Sequence, residues 1–471
     1  MIVRGRVVLS KMLIGVTFLA TSGAAARSET LTDALALAYE TNPTLLSQRA
    51  QLEATNENYV QAEAGFRPTV SAQATAAYSK APFPQVPTGG PIEYNYGNGV
   101  LSVNQPLYTG GKVTAQVDAA TAQIMAAREQ LRVTEQNVFL AVVTAYCDVL
   151  RDRKSLDIQQ SSYQTLLDAT QEIRARYEAG ANTITDRDQA VTQLEASRTL
   201  VDSARAQLEV SIAEYVNAAG QRPGTLAPPP PLLGVPNNVD VAFDAAQRES
   251  PTLRQAEFAE ATARAQVREA KAARRPTVAV SATYGDQGPI APFRTRDYFE
   301  DVGVSATLTQ PVFTGGLIGS QVRQAEAQDT SARVQIEIAR RNVVQAVAQA
   351  WAQLQAAQAN VRSESKSVEA ARSTLAGMRV EYRAGLRITL DVLSAQETLR
   401  EQALSLAAEE HDAYLTTARL LSAVGRLDST SQLATRKTYD PAKVFEKVRK
   451  DGSVPWDVVP RVLDGIGAQS K

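Results

Sequence analysis

The sequence is poor in the residues that build catalytic and metal centres. Among 471 residues it has one cysteine, Cys147, and one histidine, His411. Cys147 cannot close an internal disulfide, and zinc centres draw several Cys or His ligands from short spacings. A Ser-His-Asp or Cys-His arrangement has only His411 to draw on. Charge of one sign is lacking too: 49 basic residues face 50 acidic ones, a net charge of −1. No basic field therefore marks a nucleic-acid partner. Beyond the N-terminus no run of 18 apolar residues occurs, so a membrane has to be entered as a β-barrel. No cofactor, no metal and no enzymatic activity is expected.

Aromatics are scarce as well, at 6%, although 44% of the chain is hydrophobic. Ala, Val and Leu carry that apolar share, and Gln is abundant. Length alone suggests about three globular domains, but this mixture suits long helices better than aromatic-rich cores. The N-terminus reads as an export signal. Arg4, Arg6 and Lys11 precede an apolar stretch from Met12 to Ala20, and Ala24-Ala25-Ala26 offers a cleavage site. Cleavage after Ala26 removes three basic and no acidic residues, taking the net charge from −1 to −4. No Cys follows the cleavage site to carry a lipid anchor.

The remainder is a tandem repeat. Asn42-Pro43 recurs as Ser250-Pro251, and Arg67-Pro68-Thr69-Val70 as Arg275-Pro276-Thr277-Val278, both at an offset of 208. Gln105-Pro106-Leu107-Tyr108-Thr109-Gly110-Gly111 recurs as Gln310-Pro311-Val312-Phe313-Thr314-Gly315-Gly316, at 205. Tyr177 with Gly180 recurs as Tyr382 with Gly385, and Gly220 as Gly425, also at 205. The change in offset falls in a tolerant loop. The expected division is a signal peptide over 1–26, repeat one over 27–222, a Pro-rich linker over 223–236, repeat two over 237–428, and a tail over 429–471. The linker holds Pro228-Pro229-Pro230-Pro231 and reads as an extended spacer.

Each repeat predicts a helix, two strands, a long helix, a tight turn and a return helix. First helices are expected over 31–66 and 241–274, ended by Pro68 and Pro276. Long helices are expected over 112–178 and 317–383, with Gly180 and Gly385 as left-handed caps. Return helices are expected over 185–219 and 390–424. A 67-residue helix is about 100 Å long. First and return helices stacked end to end would run alongside it. Val117, Ile124, Leu131 and Val138 step by seven, as do Val113, Ala120, Ala127, Thr134 and Ala141. Repeat two places Ala325, Ala332, Ala339 and Ala346 to match. A sustained seven-residue period with small residues implies close coiled-coil packing. Asp329 breaks it where repeat one has Ile124.

The strand segments alternate. Val70, Ala72, Ala74, Ala76 and Tyr78 share one face, as do Leu101, Val103 and Leu107. Val278, Val280, Ala282 and Tyr284 follow, then Val302, Val304, Ala306 and Leu308. These segments have the length of tilted membrane strands. Residues 78–108 and 284–313 hold ten of the 27 aromatics in 61 positions, Phe83, Tyr94, Tyr96, Phe293, Tyr298 and Phe299 among them. Clustering near strand ends suits interfacial girdles. Four strands cannot close a barrel, and an open edge in lipid is not tolerated. Closure requires eight strands from two chains or twelve from three. A periplasmic coiled-coil spacer or adaptor, with two soluble hairpins and no membrane barrel, is the competing reading. A secreted helical enzyme is a third, and it lacks any catalytic constellation.

The tandem repeat, the Gln-Pro-x-aromatic-Thr-Gly-Gly joins and the turns Tyr177-Glu178-Ala179-Gly180 and Tyr382-Arg383-Ala384-Gly385 together resemble the TolC-type outer-membrane efflux proteins. The resemblance covers residues 28 to 425. It implies a mainly α protein with a membrane β-barrel portion. Three chains would form a homotrimer with a twelve-stranded barrel in outer-membrane lipid and a helical tunnel in the periplasm. It also implies a periplasmic adaptor protein and an inner-membrane pump, of RND or ABC type, as partners. The protein would be the exit duct for small toxic compounds or type I secreted proteins.

The same resemblance concentrates function at the turns, Gly180-Ala181-Asn182-Thr183-Ile184-Thr185-Asp186 and Gly385-Leu386-Arg387-Ile388-Thr389-Leu390-Asp391. Only the second carries an arginine. Carried over, Arg387 pairs with Asp186, and Tyr382 hydrogen-bonds near Thr185 and Asp186, as a latch that a partner breaks. Asp391 matches a family residue that rings the constriction. The second aspartate of that ring is Ser394 here, which implies weaker cation selection. Gly180 and Gly385 mark the adaptor-docking turns. Helix N-capping or first-turn dipole stabilisation is the competing role for Asp186 and Asp391. Gly110-Gly111-Lys112 resembles a phosphate loop only superficially, because Pro106 stands where that loop needs glycine and repeat two has Leu317 for Lys112. The tail, with Tyr439-Asp440-Pro441 and Trp456, lies outside the repeat and is expected either to wrap the periplasmic rod or to remain mobile.

Overall fold

The computed structural model describes residues 28–82, 91–290, 298–433, 436, 438–452, 461, 462 and 464. The signal peptide, Phe83, Phe293, Trp456 and the side chain of Tyr94 lie outside the described residues. Repeat one comprises α1 (Leu31–Thr41), α2 (Pro43–Glu63), β1 (Thr69–Pro82), β2 (Pro91–Tyr108), α3 (Lys112–Glu178) and α4 (Ile184–Ala219). Repeat two comprises α5 (Val239–Glu249), α6 (Pro251–Ala272), β3 (Thr277–Gly288), β4 (Phe299–Thr309), α7 (Leu317–Arg383) and α8 (Thr389–Val424). The tail adds α9 (Ser429–Gln432) and α10 (Pro441–Asp451).

The long helices fall on the expected residues, each 67 long. The first helices do not: each is cut in two. Asn42 takes ψ 123°, and its side chain accepts from the Thr44 amide while Pro43 starts α2. Ser250 takes ψ 118° ahead of Pro251 in the same way. Proline excludes the helical region for the residue before it, and Asn42 turns the break into a cap. The elements then stack along α3. In the strand-proximal half the helices lie side by side as α2, α3, α6, α7; in the far half as α4, α3, α8, α7. Gln116 and Asp118 of α3 bond Glu269 and Arg268 of α6 at 2.7 Å. Lys154 of α3 meets Glu410 of α8 at 2.6 Å.

The core sits at mid-rod, where α1 and the end of α4 meet α3. Leu31, Leu35, Leu45 and Leu52 pack there against Leu131, Phe139, Val142 and Tyr146, with Tyr215, Leu421 and Leu427. Tyr146 donates to the carbonyls of Glu29 and Ala227 at 3.0 and 2.6 Å, tying the Pro-rich linker to the start of α1. Of the heptad positions, Ile124, Leu131, Val138, Val113, Ala120 and Ala325 are buried. Asp329 is buried too and ion-paired to Arg333 at 2.7 Å, which accommodates the break in the pattern. Val343, Val347, Ala350, Leu354 and Ala357 make the buried stripe of α7. The opposite face of α7 is largely exposed.

The strands form one antiparallel sheet in the order β1-β2-β3-β4, with β1 and β4 as open edges. Partners such as Val70↔Val103, Leu101↔Tyr284, Ala282↔Val304 and Val278↔Leu308 put the apolar residues on one face. At Leu107 the expected alternation is interrupted. The register shifts between Pro106 and Tyr108, so Tyr108 opposes Val278. Pro106 has no N–H for the ladder, and a bulge absorbs the defect.

Phe139 is fully buried, so Phe139→Ala is expected to cost about 3–5 kcal/mol in denaturant unfolding. A second expectation concerns His411, whose side chain is 7% exposed with Nε2 2.9 Å from Asp148 and Nδ1 2.9 Å from Asp412. Burial opposes its charge, but the Asp148 and Asp412 carboxylates outweigh burial and the facing Arg151, holding the imidazole above its ordinary value of 6.5. A raised folded pKa gives stability that is full below about pH 6.5 and lost as pH rises through the folded value. His411→Gln should remove that slope in thermal unfolding measured from acid to mildly alkaline pH.

Candidate functional site

Both helical turns have the same backbone. α3 ends with the Gly180 amide on Tyr177 O at 2.9 Å and the Ala181 amide on Arg176 O at 2.8 Å. α7 ends with the Gly385 amide on Tyr382 O at 3.0 Å and the Leu386 amide on Glu381 O at 2.9 Å. Each is a Schellman closure that needs a left-handed residue, and both glycines sit at φ +78°.

The side chains then diverge. In turn one Thr183 caps α4: its hydroxyl accepts from the Asp186 amide at 3.1 Å, and the Asp186 carboxylate accepts from the Thr183 amide at 3.0 Å. This Thr-x-x-Asp capping box was legible in the sequence, yet only the general capping role of Asp186 was foreseen. In turn two the equivalent cap position is Ile388, which has no acceptor, so α8 starts without a side-chain cap. Asp391 is left free of capping and lies 3.9 Å from Arg387.

Within the chain, Arg387 does not meet Asp186. It bonds Glu381 of the last α7 turn at 2.8 Å. Glu381 stands where repeat one has Arg176, a charge reversal that the repeat comparison contained and that went unread. Tyr382 accepts from Thr389 at 3.4 Å, and the Arg176 guanidinium lies 5.0 Å from its ring. That cation links the end of α3 to the end of α7. Arg187 covers the Tyr177 ring in turn one at 4.9 Å. Thr185 is exposed, as are Gly180 and Gly385. Beside the turns a cleft of about 330 Å³ runs between α3 and the α7–α8 hairpin, lined by Asp168, Glu172, Arg379, Tyr382 and Gln396.

At the other end the sheet offers two unlike faces. β1 has no charged residue from Thr69 to Ser79, β3 none from Thr277 to Gly285, and β4 none from Val302 to Thr309. Eleven tilted residues span about 25 Å, the height of a lipid-facing band. On the apolar face Val302, Val304 and Leu308 are 66%, 77% and 67% exposed. The other face carries Ser71, Ser102, Asn104, Ser281, Thr283, Ser305 and Thr307, cross-bonded at Ser71–Ser102 (2.7 Å) and Ser281–Asn104 (3.1 Å). Among the described residues no helix is long and apolar enough to cross a membrane, and no group of three His, Cys, Asp or Glu side chains could hold a metal.

The profile of a family described as outer membrane efflux protein matches residues 34–221 and 242–426, one stretch in each repeat. The chain is 31% identical over 433 residues to the outer membrane efflux protein BepC of Brucella suis, covering 91% of this chain and 92% of that one. It is 26% identical to the outer membrane protein TolC of Escherichia coli, covering 90% and 88%. A solved membrane protein from Pseudomonas aeruginosa shares the fold with a TM-score of 0.75 at 20% identity, over 84% and 90% of the two chains. For turn one, Thr183→Ala should weaken the first turn of α4 by about 1 kcal/mol, read as faster hydrogen exchange at the Asp186 amide. The Ile388 side of α8 should not respond.

Proposed function

Because the chain belongs to the outer membrane efflux protein family, we propose that it is the trimeric exit duct of a tripartite exporter, a passive conduit without a catalytic step. The observation that carries this reading is the shared openness of sheet and rod. β1 and β4 are unpaired edges of the sheet, and α2 with α4 on one side and α7 on the other are the free edges of the helical layer. Both layers run in the same order, so one rotation joins β4 to β1 of the next copy and α7 to its α2 and α4. Such head-to-tail contacts close into a ring.

Three copies suit a duct better than two. An eight-stranded barrel is about filled by its own side chains, whereas twelve strands leave a lumen. Twelve helices at roughly 9–10 Å spacing enclose a tunnel roughly 25 Å wide, and eight leave about half of that. The apolar, uncharged sheet face also favours a membrane barrel over a soluble adaptor, which would leave Val302, Val304 and Leu308 in water.

The turns form the periplasmic gate in this reading. Arg387 is about half exposed on its Glu381 partner, so its guanidinium is free to exchange Glu381 for Asp186 of an adjacent hairpin, with Tyr382 hydrogen-bonding near Thr185 and Asp186. Tyr382 braces the same contact, and three copies of Asp391 ring the constriction. Docking of a periplasmic adaptor at the Gly180 and Gly385 turns, with an RND- or ABC-type pump behind it, would break the latch. The cargo is small toxic compounds or secreted protein.

The duct should appear as heat-modifiable trimers in the outer-membrane fraction and conduct ions in planar bilayers. Arg387→Ser should raise single-channel conductance. A soluble monomer without conductance would overturn the duct, and unchanged conductance in Arg387→Ser would overturn the latch.

A further inference from the structure

We propose that the C-terminal tail is a strap across the joint between sheet and rod, and that Asp464 is the residue that positions α3 beneath β2. From α9 the tail leaves the repeat and follows α2 toward the sheet. The Tyr439 amide donates to the Tyr39 hydroxyl at 3.0 Å, and Arg49 lies over the rings of both Tyr39 and Tyr439, at 4.4 and 5.2 Å. Phe445 of α10 packs edge-on against Tyr59 of α2, 5.3 Å between centroids, and Arg128 of α3 covers its ring at 5.2 Å. Arg67 donates to the Gly452 carbonyl, and Arg461 pairs with the buried Glu63 at the end of α2.

The last described residue of the strap, Asp464, lies at the joint. Asp464 is fully buried. Its Oδ1 accepts from the Thr109 amide and hydroxyl, both at 2.8 Å, and from the Gly111 amide at 3.0 Å; its Oδ2 accepts from the Thr114 hydroxyl at 2.8 Å. No cation pairs with this carboxylate among the described residues. Its charge rests instead on two amides and on the positive end of the 67-residue α3.

Repeat two supplies the internal control. Gly315 and Gly316 adopt φ +60° and +85°, close to the +70° and +85° of Gly110 and Gly111. The same loop therefore forms at Thr314-Gly315-Gly316 with no carboxylate on it among the described residues, and those three residues are exposed. The counterpart of Thr114 is Gly319, which has no hydroxyl to donate. Asp464 is thus not needed to make the turn. What it adds is a fixed link between the start of α3 and a segment that is itself anchored along α2 by Tyr439, Phe445 and Gly452. The location fits this role: a Cβ on Gly110 would meet the Arg275 side chain at 2.9 Å, whereas one on Gly315 would meet nothing. The first joint lies inside the protomer, wedged against the start of β3, and the second lies at its open edge. The strap holds the inner joint, where helix and strand meet neighbours on both sides.

The test uses the full chain in lipid nanodiscs with Asp464→Ala and Asp464→Asn. Hydrogen exchange should quicken at the Thr109 and Gly111 amides by roughly tenfold or more in the Ala variant, less in Asn, with the Gly316 amide unchanged. Spin labels placed by Leu101→Cys and Gln123→Cys, in chains diluted with unlabelled ones, report the angle between β2 and α3. Their distance distribution should broaden in Asp464→Ala, while that between Val304→Cys and Val334→Cys across the second joint should not. If Asp464→Ala does not fold, Thr114→Gly, which copies repeat two, should quicken Gly111 exchange by a smaller factor and couple non-additively to Asp464→Asn. Unchanged Gly111 exchange would overturn the contact. Quickened exchange with an unbroadened β2–α3 distribution would overturn the positioning role. Neither result depends on the trimer or the gate, because the strap lies within one chain.

Discussion

An unpaired strand edge inside lipid exposes N–H and C=O groups that nothing there can satisfy, at several kcal/mol each. This sheet has two such edges, the Thr69–Pro82 and Phe299–Thr309 strands. No rearrangement within four strands removes them, because four are too few to close. In the proposed duct copies of the same chain supply the matching edge, and the other features follow from that closure. Once β4 must meet the next β1, the helices below are brought round the same axis. The rod then needs an open flank on each side. The exposed face of α7 and the exposed Leu46, Leu200 and Val210 of α2 and α4 are those flanks.

The same closure accounts for the composition. A single layer of helices curved into a tube has a partner on each side and solvent on the other two. Each helix buries narrow stripes rather than a broad face, and small residues let neighbours approach. Ala120, Ala325, Ala350 and Ala357 are buried in this way, while the large side chains collect at mid-rod around Phe139, Tyr146 and Tyr215. Only there, where α1 and α5 add to the layer, is there depth for an aromatic core. A chain built mostly as a thin wall uses few aromatics, and it keeps several of those it has near the lipid.

Much of this was legible because it is periodic. The repeat offset, the seven-residue step and the glycine-closed turns are local signals, and the long helices fell on the expected residues. The misses share a cause. Asn42-Pro43 and Ser250-Pro251 were seen as repeat markers, but each proline also holds the residue before it in an extended conformation, ψ 123° at Asn42 and 118° at Ser250, and so ends the helix. At Leu107 the alternation is interrupted by a bulge beside Pro106. Glu381 and Asp464 make their contacts through residues six positions and at least 350 positions away. Periodicity predicts elements; it says little about which carboxylate a given donor will find. The capping box forms at Asp186 alone, because Thr183 can accept a hydrogen bond and Ile388 cannot; Asp391 keeps its place in the first turn of α8.

The two repeats share a backbone and diverge at its two ends. At the turns, Thr183 faces Ile388, Asn182 faces Arg387 and Arg176 faces Glu381 across the repeat. At the joints, Thr114 faces Gly319, and only the first carries a carboxylate. Along the rod between them the matching heptad positions stay small or apolar, apart from Asp329. A wall built from two near-identical halves works as long as both pack alike, so its middle tolerates little asymmetry. The ends are different. At the joint, one half has neighbours within its own chain and the other lies at the open edge. At the turns, the proposed gate needs unlike surfaces that can hold and release one another. In that reading Arg387, which stands where repeat one has Asn182, is the donor for Asp186 of an adjacent hairpin, and it leaves the Schellman closures at Gly180 and Gly385 untouched. The backbone that shapes the end of the rod and the charges that work it are therefore separable in this chain.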